Sequence, residues 1–135
     1  MGFFAWKDEY CVGVQEIDVQ HRRLFSLADE LHAAMSVGKG KAVLDQVLSN
    51  LIGYTKSHFA AEERLMQSRG YPNYLAHKIE HDQLTHKVLD LQREFRAGKV
   101  ALTLDIMKFL RDWLDHHILG SDQKYAPFVG GKAVA

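Results

Sequence analysis

Apolar side chains recur at three- and four-residue intervals through most of this 135-residue chain. That spacing is the signature of amphipathic helices, each with one buried face. Gly38 with Gly40, Gly70, Gly98 and Pro127 interrupt the rhythm and divide it into four long segments. The first is expected from about Asp18 to Ser36, the second from Lys41 to Ser68. Pro72 suits the first turn of the third, where its missing N–H is harmless, and that helix ends near Ala97. The fourth is expected from Thr103 to Gly120 or a little beyond, with Pro127 barring extension.

The stripes are explicit. Helix one carries Ile17, His21, Leu24, Ala28, Leu31 and Met35. Helix two carries Leu44, Val47, Leu51, Thr55, His58, Glu62 and Leu65. Helix three carries Tyr74, His77, His81, Leu84, Val88, Leu91 and Phe95, and helix four Ile106, Leu110, Trp113 and His117. No strand-like alternation of comparable length competes. Four comparable helices with short links imply an all-α, antiparallel up-down-up-down four-helix bundle. The residues through Gly13 and the tail from Pro127 read as irregular. No internal repeat is found, and the length suits one domain over residues 1–135.

Seven polar residues stand on or beside these apolar stripes: His21, His58, Glu62, His77, His81, His117 and Asp122. Such side chains are costly to bury unless paired or bound to metal. His21 and the His77/His81 pair lie near the starts of helices one and three. His58/Glu62 and His117/Asp122 lie near the ends of helices two and four. In an antiparallel bundle, all seven therefore fall at one end. Residues at i and i+4 share a face, so His58/Glu62 and His77/His81 can each present two groups to one place. His117 and Asp122 are five apart, about 140° off in a regular helix. A π-like turn, or fraying at the helix end, would bring Asp122 inward. Of the dipeptide His116-His117, His117 continues the buried stripe and His116 is assigned to the surface. His32 and His86 lie too far along their helices and read as ordinary histidines.

Five imidazoles and two carboxylates suit borderline metals such as iron better than calcium or magnesium. Two six-coordinate metals offer twelve positions. The imidazoles fill five, two bridging carboxylates four, and a bridging oxygen two, which leaves one open for a small molecule.

Composition narrows the partners. Hydrophobic residues make up 47%, formal net charge is zero and pI is near 7.1. Neither nucleic acid nor an anionic membrane is a natural partner for that balance. No apolar run approaches membrane-spanning length, and the first residues lack a signal-peptide pattern. The single cysteine, Cys11, cannot form an internal disulfide, which points to a reducing cytoplasm.

The pattern His21…His58-Phe59-Ala60-Ala61-Glu62…His77-Lys78-Ile79-Glu80-His81…His117-Ile118-Leu119-Gly120-Ser121-Asp122 resembles the hemerythrin family. The segment Ile17-Asp18-Val19-Gln20-His21 and the compact length resemble its bacterial branch, the bacteriohemerythrins. The resemblance implies a non-haem di-iron centre that binds dioxygen reversibly for transport, storage or delivery, each ferrous ion lending one electron. It implies that His77, His81 and His117 hold one iron, and that His21 and His58 hold the other, which keeps the open position. It also implies that Glu62, Asp122 and an oxo or hydroxo group bridge the pair. Phe59, Trp113, Leu114 and Ile118 match positions that line a dry, apolar ligand pocket. The expected role is binding, with no catalytic residue, in a monomer that hands oxygen to an oxygen-consuming protein.

Three other readings compete. A di-iron site could sense oxygen, nitric oxide or redox state. It could turn over peroxide, with Tyr125 as the nearest phenol; a sensor is expected to carry an output domain, and none is seen. His77-Lys78-Ile79-Glu80-His81 also fits the H-x-x-E-H pattern of inverted zinc peptidases, with Glu80 as base. That reading leaves His21, His58, Glu62, His117 and Asp122 without a role.

Overall fold

A computed structural model describes residue 4, residues 6–99 and residues 101–129. A short 3-10 turn, Asp8–Tyr10, precedes four long helices: α1 (Gln15–Ser36), α2 (Lys41–Ser68), α3 (Tyr74–Arg96) and α4 (Leu104–His116). The chain then widens into a π-helical turn, His117–Asp122, and continues as α5 (Gln123–Val129). Among the described residues there are no strands, and the helices form the expected all-α four-helix bundle.

Two proline expectations are corrected. Pro72 lies in the turn before α3, two residues ahead of its first helical position. Pro127 does not bar extension but sits inside α5. Its fixed φ is already helical, and it removes only one amide donor from the ladder. The α1 helix also begins three residues earlier than expected, at Gln15. The expected irregular tail beyond Val129 lies outside the described residues.

The first three helices stop in the same way. At the end of α2, the Gly70 N–H donates to the Gln67 carbonyl at 3.2 Å and the Tyr71 N–H to the Met66 carbonyl at 2.9 Å. This Schellman closure needs a left-handed residue, and Gly70 supplies it at φ 68°. Gly38 and Gly98 close α1 and α3 with the same pair of bonds. The side chain of Thr103 caps α4, accepting from the Ile106 N–H at 3.4 Å.

The stripes bury close to where periodicity puts them, with small rotations. Leu48, Met66 and Met107 are buried where Leu44 and Val47, Leu65 and Ile106 were expected. Gln92 takes the inward place expected of Leu91, and its amide donates to the Ser49 hydroxyl at 2.7 Å. The apolar interior has two parts. A large cluster around Leu24, Leu31, Leu48, Leu84, Leu110 and Leu114 fills most of the bundle. A smaller one joins Val12, Ile17, Met66, Tyr71, Tyr125 and Ala126. Ile17 is one turn before His21, and Met66 one turn after Glu62. The polar residues thus form a layer between the two apolar clusters.

Candidate metal centre

All seven sequence-predicted polar residues meet in that layer, and none is more than 5% exposed. Glu62 and Asp122 lie at the middle. Glu62 Oε1 is 3.2 Å from His58 Nε2 and 3.3 Å from His81 Nε2, while Oε2 is 3.3 Å from His21 Nε2. Asp122 Oδ1 is 2.9 Å from His77 Nε2 and 3.2 Å from His117 Nε2, and Oδ2 is 3.1 Å from His21 Nε2. Each carboxylate therefore spans imidazoles from opposite sides of the layer.

The five-residue gap between His117 and Asp122 is closed by the π turn, of the two routes the spacing allowed. A π turn takes one more residue than an α turn, which brings both side chains to the same face. Ser121 and Gly120 take the outer side of the widened turn.

The donors form two groups. Glu62, His77, His81, His117 and Asp122 make one; His21, His58 and Glu62 make the other. In each, one candidate donor atom from every residue lies within 4.8 Å of the rest, near enough to share an ion. Several of these atoms have no hydrogen-bond partner despite burial: His21 Nε2, Glu62 Oε1, His77 Nε2 and both Asp122 oxygens. Unpartnered buried polar atoms are costly. Their convergence on two points, with a nitrogen-rich donor set, fits a pair of transition-metal ions.

The outward imidazole nitrogens are held from neighbouring helices. Gln20 Oε1 on α1 lies 2.7 Å from His58 Nδ1 on α2. Glu63 Oε2 on α2 lies 2.9 Å from His81 Nδ1 on α3. Glu80 Oε1 on α3 lies 2.8 Å from His117 Nδ1 and accepts from the Ser121 hydroxyl at 2.6 Å. Each partner sits beside a buried residue in sequence: Gln20 before His21, Glu63 after Glu62, Glu80 before His81. The alternation before, after, before follows from alternating helix direction. Sequence reasoning missed Gln20 and Glu63; their place one residue off the buried stripe was the available signal. The same relay would next reach His21 from the fourth helix. There, His21 Nδ1 has no hydrogen-bond partner.

Aromatic rings cover the imidazoles. Phe59 stacks on His81 at 3.8 Å between centroids and 2° between planes, and Trp113 stacks on His117 at 4.4 Å and 15°. Leu114 and Ile118 are buried beside them. A cavity of about 30 Å³, with almost wholly apolar walls, lies one turn further in. Leu114 and Thr55 line it, but Phe59, Trp113 and Ile118 do not. On the opposite side, the fully buried Tyr125 donates its hydroxyl proton to Glu62 Oε2.

Electrostatics follow from this geometry. Burial alone would lower the His21 pKa, but the Asp122 and Glu62 carboxylates facing Nε2 raise it to about 10. His117 rises to about 9 against the same burial, chiefly through the charge of Asp122 beside its Nε2. Burial would raise both carboxyls. The His58 charge and the close approach of the His21, His58 and His81 imidazoles instead hold Glu62 well below its ordinary range. His117 and His21 do the same for Asp122, against the added repulsion of Glu62. Burial beside these carboxylates pushes the Tyr125 phenol well above its usual value, so it keeps its proton.

The remaining sequence expectations are also placed. His116 is exposed, with Nδ1 2.8 Å from the Asp112 carbonyl. His86 is exposed and His32 half-buried, and neither joins the cluster. Glu80, the base that the peptidase reading assigns, is committed to His117 and Ser121 behind the imidazole ring.

A helical bundle that buries five imidazoles around two shared carboxylates defines a binuclear metal-binding protein. The family model described as the hemerythrin HHE cation binding domain matches residues 12–129, and the chain belongs to that family. A bacteriohemerythrin of Methylococcus capsulatus is 37% identical over 128 residues, covering 94% of this chain and 97% of its own. One from Stenotrophomonas maltophilia is 36% identical, covering 96% and 83%. The crystal structure of a wild-type hemerythrin superposes with a TM-score of 0.89 at 36% identity, covering 94% of this chain and 98% of that one. That of a hemerythrin point mutant gives 0.92 at 35%, covering 97% and 100%.

Proposed function

We propose that this protein binds dioxygen reversibly at a non-haem di-iron centre and acts as an oxygen carrier or store. The convergence of buried, unpartnered donor atoms on two points carries this reading, and membership of the hemerythrin family supports it. His77, His81 and His117 would hold one iron, His21 and His58 the other, and Glu62 and Asp122 would bridge them. With fewer protein donors in its group, the His21/His58 position would be the one with room for a small ligand. A ferrous pair supplies the two electrons that dioxygen takes up on binding and returns on release.

The chain's own residues do the rest. Gln20, Glu63 and Glu80 fix the orientation of three imidazoles, and such outer partners also raise ligand basicity. Phe59 and Trp113 roof the imidazoles, and Leu114 and Ile118 close the apolar side. These side chains exclude water, which protects a reversibly bound ligand from proton-driven loss. Tyr125 directs its only proton at Glu62 rather than at open space. That arrangement favours binding over turnover of peroxide.

No helix among the described residues is long and apolar enough to cross a membrane. We place the protein in the cytoplasm, as a monomeric single domain that hands oxygen to an oxygen-consuming protein. The single cysteine supports the cytoplasmic placement.

The test is elemental analysis followed by anaerobic titration of the ferrous protein with dioxygen. The expected outcome is two irons per chain and an oxygen-dependent absorption band that disappears when oxygen is removed, over repeated cycles. One zinc per chain without ferrous uptake would overturn the metal assignment. A band that never reverses would replace carriage with catalysis.

A further inference from the structure

The two donor groups are unequal, and the inequality gives the Tyr125 hydroxyl a particular task. The larger group has three imidazoles and two carboxylates; the smaller has His21, His58 and Glu62. Two of the three imidazoles in the larger group are held from outside, His81 by Glu63 and His117 by Glu80. In the smaller group Gln20 holds His58, but His21 Nδ1 has no hydrogen-bond partner. Glu62 is the one carboxylate of that group, and Asp122 reaches it through Oδ2 at His21 alone, 3.1 Å away.

Glu62 is itself asymmetric. Its Oε1 has no hydrogen-bond partner, and its Oε2 accepts from Tyr125. Both Asp122 oxygens are unpartnered. Tyr125 is fully buried, and the small apolar cluster of Ile17, Met66 and Tyr71 fixes its ring. Tyr125 lies one turn beyond Asp122, so the π turn that aims Asp122 inward also aims this phenol at Glu62.

We propose that Tyr125 is the positioning residue of the Glu62 carboxylate: its hydroxyl anchors Oε2, keeps Oε1 between His58 and His81, and thereby sets the affinity of the His21/His58 position. The inference rests on the di-iron reading. It predicts unequal consequences: loss of the hydroxyl weakens the second metal equivalent and leaves the first nearly intact. The first still has Asp122 and three imidazoles.

The test is anaerobic titration of the full-length apoprotein with ferrous iron against a chromogenic chelator. Wild type, Tyr125→Phe and Tyr71→Phe are compared, the last removing a phenol from the same cluster without touching Glu62. Loss of an outer partner typically costs about 10–100-fold in metal affinity. Tyr125→Phe should show that loss at the second equivalent only, and Tyr71→Phe should match wild type. A Tyr125→Phe protein whose two stepwise constants fall equally, or not at all, overturns the inference. If Tyr125→Phe does not fold, 4-aminophenylalanine at position 125 keeps a donor at the same place. It should retain the second equivalent to within about tenfold; a folded protein that loses it again overturns the proposal. Wild type that takes up fewer than two equivalents overturns the di-iron reading, and the inference with it. Two equivalents in wild type with no effect at Tyr125 overturn the inference alone.

Discussion

Neighbouring residues in this chain have opposite fates, and the His116-His117 dipeptide shows why. Both are imidazoles; one helical step separates them by about 100°. His117 faces Asp122 and Trp113, and His116 faces solvent. Truncation should separate them. Glu62→Ala removes the carboxylate shared by both donor groups and should cost well over about tenfold in iron affinity, more than an outer-partner change. His116→Ala should leave iron content unchanged. Iron per chain after gel filtration measures both, and equal losses would reverse the assignment within the dipeptide.

Protonation gives a second prediction at this scale. In iron-free protein, His21 titrates near 10 when folded and near 6.5 when unfolded. Its raised pKa contributes stability that is complete below pH 6.5 and is lost as pH rises toward 10. The depressed Glu62 and Asp122 carboxyls contribute stability above their ordinary values of 4.5 and 3.8, lost as pH falls below them. Iron-free protein should therefore be most stable between about pH 4.5 and 6.5 and weaken on both sides. Iron requires neutral imidazoles, so its binding releases those protons. The alkaline decline should vanish in the loaded protein, while acid still expels the metal. Thermal unfolding midpoints across pH, with and without iron, check both limbs.

At the scale of elements, the link between α2 and α3 is the sharpest constraint. It reverses the chain within a few residues and sets Glu62 and Glu63 against His77 and His81. Gly70 holds the turn at φ 68°, and a Cβ there would meet nothing within 4 Å. Gly70→Ala would therefore cost backbone strain alone, about 1–2 kcal/mol. Urea unfolding should show that loss with unchanged iron stoichiometry. A loss of iron would mean that the turn also tunes the site. The π turn is the other decisive element: Gly120 and Ser121 form the extra arc that lets His117 and Asp122 face the same way.

Across the whole molecule, the polar layer divides the bundle into unequal halves. The end carrying the site packs buried imidazoles and carboxylates that face one another without aligned hydrogen bonds when metal is absent. The other end, around Leu31, Leu48, Phe95 and Met107, is ordinary hydrophobic core. Iron removal should lower hydrogen-exchange protection mainly near His21, Glu62, His77 and His117, and leave the far end protected. Uniform protection with and without iron would show a site that is rigid on its own.

The sequence by itself determined the helices and the end of the bundle at which the seven polar residues gather. Both follow from periodicity and chain direction, which are local properties read one segment at a time. It also picked His117 over His116, because the stripe passes through only one of them. Only the tertiary structure decided how Asp122 turns inward, since a π turn and a frayed end share one local sequence. Packing likewise decided that Gln20, Glu63 and Glu80 reach across to the next helix. The rotation that buries Met66 and Gln92 was decided there too, because it depends on where neighbouring helices leave space. The same holds for Pro127, whose helical φ let α5 continue once the π turn had set its direction. The bond from Tyr125 to Glu62 belongs with these. It joins residues 63 positions apart, and no local pattern encodes a contact between helices.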